Sequence, residues 1–174
     1  ATWSNATPVS PGPYFQHFHQ GAEPIVGPNG QLYVVWANNL NNATEDSLGF
    51  AKSTDGGVTW AVTRNNASDM NGIRTTGQSF MNGIRANGFP RIAVDKTNGQ
   101  RRGWIYVVTS EKNLAPATDV ADVILHKSTD EGTTWTKVRV NQDTPGNGKY
   151  QYLSAVNVDD NGGVNVIYYD NRNT

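Results

Sequence analysis

The sequence predicts an all-β protein assembled from repeated four-stranded antiparallel units. Three observations carry that expectation. Asn (20), Thr (17) and Gly (18) dominate the 174 residues, a mixture poor for helices and good for strands and turns. Short β-branched and aromatic runs are separated by Asn-Gly turns, and helical periodicity is sustained nowhere. One string occurs twice: Ser53-Thr54-Asp55-Gly56-Gly57-Val58-Thr59-Trp60 and Ser128-Thr129-Asp130-Glu131-Gly132-Thr133-Thr134-Trp135, identical at six of eight positions.

The units follow from the runs around that string. First strands are expected at Glu23 to Val26, Pro90 to Val94 and Leu153 to Val158. Each leads to a turn: Pro28-Asn29-Gly30, Thr97-Asn98-Gly99 with a basic insertion, and Asp160-Asn161-Gly162-Gly163. Second strands then align without gaps at Leu32 to Trp36, Ile105 to Thr109 and Val164 to Tyr168, all rich in strand-favouring residues. Third strands, Ser47 to Lys52 and Asp122 to Lys127, run into the repeated string. Fourth strands follow its Trp, at Ala61 to Arg64 and Thr136 to Asn141.

Four-stranded units in series read as β-propeller blades. Trp3, Trp60 and Trp135 stand 57 and 75 residues apart. The organisation expected is a partial propeller over 1–174: the last strand of a preceding blade in 1–10, a blade in 22–64, a blade in 89–141, and the first two strands of a further blade in 150–170. Eleven strands fall short of the about 4–8 four-stranded blades that close a ring. The chain is therefore expected to be about half of a propeller, the remaining blades coming from the same or another chain.

Composition excludes several functions. A net charge of -1 and a pI near 6.3 argue against nucleic acid and against electrostatic membrane binding. No apolar run approaches a membrane span. With no Cys, thiol catalysis and Cys-based metal sites are ruled out. The chain begins with Ala1 rather than Met, as expected after removal of a leader or for a piece of something longer. The polar, weakly charged, Cys-free composition fits a secreted or extracellular bacterial protein.

The string Ser-x-Asp-x-Gly-x-Thr-Trp resembles the Asp-box, or BNR repeat, of the sialidase/neuraminidase superfamily and related propellers. The resemblance covers the whole chain and implies a six-bladed ring, of which this would be about half. Asp-boxes also occur in sortilin-type receptors, xyloglucanases and propellers without known catalysis. Two functions are therefore implied. One is a secreted, sialidase-like glycoside hydrolase acting on terminal sugars of glycans. The other is a noncatalytic module that binds carbohydrate or protein.

The repeated string has a structural reading of its own. Asp55 and Asp130 are expected to accept hydrogen bonds from turn N–H groups. Gly57 and Gly132 supply positive φ, Ser53 and Ser128 offer a second local partner, and Trp60 and Trp135 wedge between blades. Carboxylates are too sparse there for a calcium cage, and no metal or cofactor site is expected.

The resemblance puts the loops from fourth to first strands and from second to third strands on the functional face, opposite the boxes. A sialidase holds its substrate carboxylate with arginines, whose guanidinium pairs bidentately with it. It attacks through a Tyr assisted by carboxylates. Candidate substrate-binding residues are Arg91, Arg172, Tyr169 and Arg85. The candidate catalytic residue is Asp170, within Tyr168-Tyr169-Asp170-Asn171-Arg172. Phe89-Pro90-Arg91-Ile92 holds the residues of the family's Arg signature in a different order. Simpler readings stand beside these: Arg91 covers apolar surface with its stem, and Asp170 pairs with Arg172. His17-Phe18-His19 is expected to lie in an exposed aromatic loop and His126 to be a packing residue. Glu111, Asp119 and Asp122 are carboxylates whose partners the sequence leaves open.

Overall fold

The structure is a computed structural model that describes residues 5–10, 17–40, 44–74 and 84–173. Among these it is all-β and antiparallel. One sheet has the order β1-β2-β3-β4, from His17–Val26, Leu32–Leu40, Glu45–Ser53 and Ala61–Asp69. A second has the order β5-β6-β7-β8, from Arg91–Val94, Ile105–Glu111, Asp122–Ser128 and Thr136–Arg139. A two-stranded sheet pairs β9, Gln151–Val158, with β10, Val164–Asp170.

Each four-stranded sheet is a simple meander. Antiparallel succession therefore puts the first and third turns at one end and the second turn, with the link to the next sheet, at the other. Both repeated strings fall on third turns, at what is called here the box end. The opposite end is the loop end.

Burial shows how the sheets stack. Tyr33, Val35, Leu48 and Phe50 of the first sheet pack against Ile92, Val94, Ile105 and Val107 of the second. Strand β9 contacts β5, β6 and β7, which covers the second sheet's other face. Every residue of β6 is buried, whereas β10 alternates, with Ile167 72% and Tyr169 65% exposed. The first sheet's outer face, with Leu32 and Val34, is half-buried. Burying each large apolar side chain in the shared layer contributes about 1.5–3 kcal/mol, so the central sheet carries most of the packing.

Several strands are longer than expected. The first extends back to His17, so His17-Phe18-His19 lies in a strand rather than a loop; the His19 ring packs 5.3 Å from Trp36. A bulge at Gln20 to Glu23 lets that extension keep its register. Gly21 is required there, at φ 64, because a Cβ would meet the Phe89 ring at 2.6 Å. The fourth strand continues past Arg64 to Asp69 after a register shift beside Gly49. Of the stretch 1–10, in which a strand is expected, residues 5–10 are described and carry no strand. Pro8 interrupts them, removing a ladder donor, and Thr2-Trp3 lies outside the described residues.

Candidate functional site

At the box end, the two strings form the same hydrogen-bonded turn. Ser53 Oγ donates to Asp55 Oδ1 (2.8 Å) and accepts from Gly57 N (2.9 Å). Ser128 Oγ donates to Asp130 Oδ1 (2.8 Å) and accepts from Gly132 N (2.8 Å). Thr59 and Thr134 each donate N–H and hydroxyl to the Asp, at 2.9 and 2.5 Å and at 2.9 and 2.6 Å. The indoles of Trp60 and Trp135 close the turns on the carbonyls of Gly57 and Gly132, both at 3.1 Å. The Thr hydroxyl and N–H, then the Ser hydroxyl, hold each Asp down to about 2. Both glycines sit near φ 90. With every acceptor committed to its own turn, these carboxylates serve as local staples.

The loop end gathers the charged chemistry. Glu45 opens β3 and is fully buried; its carboxylate accepts from the N–H of Arg74 (3.2 Å) and of Gly88 (3.1 Å). Burial pushes it above the ordinary carboxylate range, against those hydrogen bonds and Arg74. Gly72 must lack a side chain, since a Cβ would lie 2.0 Å from Glu45 Oε2. The Arg74 guanidinium lies 5.2 Å over the Phe18 ring and 3.4 Å from Asn39 Oδ1.

Between the two four-stranded sheets runs a second network. His126 Nε2 faces Glu111 Oε1 (2.7 Å) and the Thr109 hydroxyl (3.0 Å). Its Nδ1 meets Ser68 Oγ of β4 (2.7 Å), 58 residues away in sequence. Lys137 bonds Glu111 (3.3 Å) and the Asp69 carbonyl (2.9 Å). Because a carboxylate only accepts, Nε2 carries a proton and Nδ1 meets the serine hydroxyl. Burial opposes the Glu111 charge, but His126, Lys137 and Thr109 outweigh it and hold the pKa below its ordinary value. Thus His126 is buried as expected, but as a polar hub rather than a packing residue, and Glu111 has found its partners.

A third network reaches the last sheet. Asp122 accepts from Arg139 (2.7 Å), Asn141 (2.6 Å) and Thr118 N (2.7 Å). Asn141 also donates to Gln151 (2.9 Å), and Gln151 donates to Asp170 (3.3 Å). Asp170 pairs with the Arg172 guanidinium and accepts from its backbone N–H (2.8 Å). Tyr169 stacks on Tyr152, ring centroids 6.0 Å apart.

The candidate substrate residues therefore divide. Tyr169, Asp170 and Arg172 stand together at the end of β10. Arg91, half-exposed at the start of β5, pairs with Glu23 of the first sheet (3.5 Å), and Arg85 is exposed in the segment after 83. Sequence reading missed Glu45 as a buried acid. No sequence signal marks it: the expected third strand starts at Ser47, and Glu45 stands beside a second acid, Asp46. Among the described residues no three His, Asp or Glu side chains are placed to hold a metal ion.

No family model matches the chain, and no curated protein matches it. Among solved structures it is similar to one titled "Glycoside hydrolase", at 13% identity and a TM-score of 0.46, over 88% of this chain and 48% of that one. The chain thus spans about half the length of that structure. The functional reading rests on the residues.

Proposed function

We propose that the chain is part of a secreted, sialidase-like Asp-box propeller that acts on the terminal sugars of glycans, with its sugar-facing surface at the loop end. The architecture is supported by two identically bonded turns on two stacked meanders and by a third sheet that starts the same way. The propeller's remaining blades would complete the ring.

One observation carries the carbohydrate reading. Exposed Tyr169, stacked on the half-buried Tyr152, adjoins the Asp170–Arg172 pair at the end of β10. An aromatic face packs against the C–H face of a sugar, while a carboxylate and guanidinium bond its hydroxyls or carboxylate. Tyr169 and Arg172 would bind substrate, and Asp170 would be the catalytic carboxylate. Arg91 and Arg85 would extend the surface.

A specific observation favours the noncatalytic alternative. Asp170 is held by Arg172 and Gln151, which suits a binding contact better than proton transfer. The test is a glycan-binding screen alongside release of chromophore from aryl glycosides, sialosides included. Binding lost in Tyr169→Ala, with turnover lost in Asp170→Asn, supports the hydrolase. Binding without turnover selects the binding module. No glycan bound, or binding unaffected by Tyr169→Ala, would overturn the loop-end surface.

A further inference from the structure

The sequence holds seven Asn-Gly pairs, and six of them fall on described residues. Such a pair carries a chemistry of its own. The glycine nitrogen can attack the asparagine side-chain carbonyl, because glycine has no Cβ to obstruct the close approach. A glycine N–H already committed to a hydrogen bond must give that bond up first.

In five of the six pairs the N–H is committed. Gly30 donates to the Gly27 carbonyl (3.2 Å), Gly72 to the Glu45 carbonyl (2.8 Å) and Gly162 to the Asp159 carbonyl (2.9 Å). Gly88 donates to Glu45 Oε1 (3.1 Å) and Gly99 to Thr97 Oγ1 (3.2 Å). Gly148, in the loop between β8 and β9, is the exception. On either side of it the loop is anchored: Gly146 N–H donates to Asp119 Oδ2 (2.7 Å), and Tyr150 N–H to Asn171 Oδ1 (2.7 Å). The Gly148 N–H bonds no group among the described residues, and Asn147 and Gly148 are both exposed to water.

The Asn147 amide is held in a way that favours attack. Its Oδ1 accepts from the Lys149 N–H (2.8 Å). That donor faces the oxygen on which negative charge gathers once the side-chain carbonyl carbon is attacked. Its Nδ2, the nitrogen that would leave, is directed to Asp143 Oδ2 (3.0 Å).

We propose that Asn147-Gly148 is a site of spontaneous deamidation at the loop end. The Gly148 nitrogen loses its proton to water and bonds Asn147 Cγ. The Cγ–Nδ2 bond breaks, and the nitrogen leaves as ammonia after taking up a proton from water. Water then opens the cyclic imide at one carbonyl or the other. The product is aspartate in an ordinary main chain, or isoaspartate in one rerouted through the side chain. Either way a donor to Asp143 becomes a like charge. Burial opposes the Asp143 charge, but the Asn141 and Asn147 amides hold its carboxyl below the ordinary range. Asp143 also accepts from Arg139 (3.2 Å) and Asn141 (2.7 Å), so the new charge presses on a network shared by β8 and this loop. The proposal is independent of the sugar-binding reading.

The test is peptide mapping of the whole folded chain during incubation in neutral buffer, with a parallel sample in denaturant. One hydrogen bond to be given up slows attack roughly two- to tenfold. In the folded chain Asn147 should therefore convert faster than each of the other five by at least roughly that factor. In denaturant, where every glycine N–H meets water, the six rates should converge. Asn147→Gln should abolish conversion at this position, since its longer side chain closes a less favourable ring. Asn147→Asp, which carries the product, should move the Asp143 titration to higher pH, followed by the shift of its carboxyl carbon. The proposal fails if Asn147 stays intact while one of the other five converts, or if all six convert alike in the folded chain. It fails equally if Asn147 leads by as much in denaturant as in the fold.

Discussion

The two box turns share their hydrogen bonds and differ in their neighbours. Around Trp135 the turn is seated on the first sheet: Phe50 meets the indole edge-on at 5.5 Å, and Glu131 reaches Lys52 and Gln31. Around Trp60 the equivalent surface is an open apolar hollow with Pro24, Val26 and Leu32, and Val58 is 71% exposed. Hydrogen bonds inside a box therefore specify the turn alone. What a box contributes to the stability of the stack depends on whether a sheet lies against its tryptophan. The most direct way to break this comparison is to delete each indole. Trp135→Ala should cost about 3 kcal/mol, near the lower end for a large aromatic in a core. Trp60→Ala should cost about 1 kcal/mol, as expected away from tight packing. Equal costs in denaturant unfolding would mean that the turn, not the packing, matters.

The glycines sharpen the same contrast. Gly57 and Gly132 share a left-handed backbone, so alanine at either carries a similar strain of about 1–2 kcal/mol. At Gly132 the added Cβ would also press to 2.2 Å from the Phe50 ring, whereas at Gly57 its nearest neighbour is Leu32 at 3.4 Å. Overpacking adds about 1–3 kcal/mol. Gly132→Ala should therefore lower the unfolding free energy by more than Gly57→Ala, by that margin.

Much of this was legible in the sequence, and the reason is locality. The box turn bonds within eight residues, the strands alternate within six, and the meander makes the boxes and loops occupy opposite ends. The strands' true lengths were less legible, because His17 to Gln20 and Ala67 to Asp69 pair only through tertiary contacts. Apart from the Asp170–Arg172 pair, the loop-end networks were not legible. Nothing near His126 announces Ser68, and nothing near Arg91 announces Glu23. These partners meet because two sheets stack at a given height, which no local pattern encodes. Asp170 and Arg172 were readable as a pair since they lie two residues apart, Asp170 at the end of β10 and Arg172 in the turn that follows.

Acid separates the local from the long-range elements. Asp55 and Asp130 fall from 3.8 to about 2 through their own turns. Each contributes stability that is complete above 3.8 and is lost as pH falls towards 2. Asp55→Asn and Asp130→Asn should flatten that limb equally, despite their different neighbours. Glu111, held below 4.5 by His126 and Lys137, behaves the same way in sign: its contribution is present above 4.5 and lost as pH drops through its folded value. Glu45 is opposite. Raised above 4.5 by burial, it favours the fold most fully below 4.5 and loses that contribution as pH rises through its folded value. In denaturant midpoints followed against pH, Glu111→Gln should weaken the acid loss and Glu45→Gln should remove a decline on the alkaline side. A Glu111→Gln profile parallel to wild type would exclude the His126 network as a pH-dependent tie between sheets.

The smallest effect is expected where the two boxes differ in sequence. Glu131 adopts φ 58, a strained backbone for a side chain, while its counterpart Gly56 adopts φ 72 without strain. In return Glu131 reaches Lys52, through side chains 42% and 27% exposed. Exposed ion pairs of this kind contribute about 0–1 kcal/mol. Gain and strain offset, so Glu131→Gly should change the unfolding free energy by no more than about 0.5 kcal/mol. The converse, Gly56→Glu, introduces the strain at a position where no atom lies within 4 Å of the new Cβ, and should cost about 1 kcal/mol. If Glu131→Gly instead costs as much as Trp135→Ala, then the charge bridge and not the Phe50–Trp135 contact fastens the second box to the first sheet, and Trp60 lacks an ionic partner more than an aromatic one.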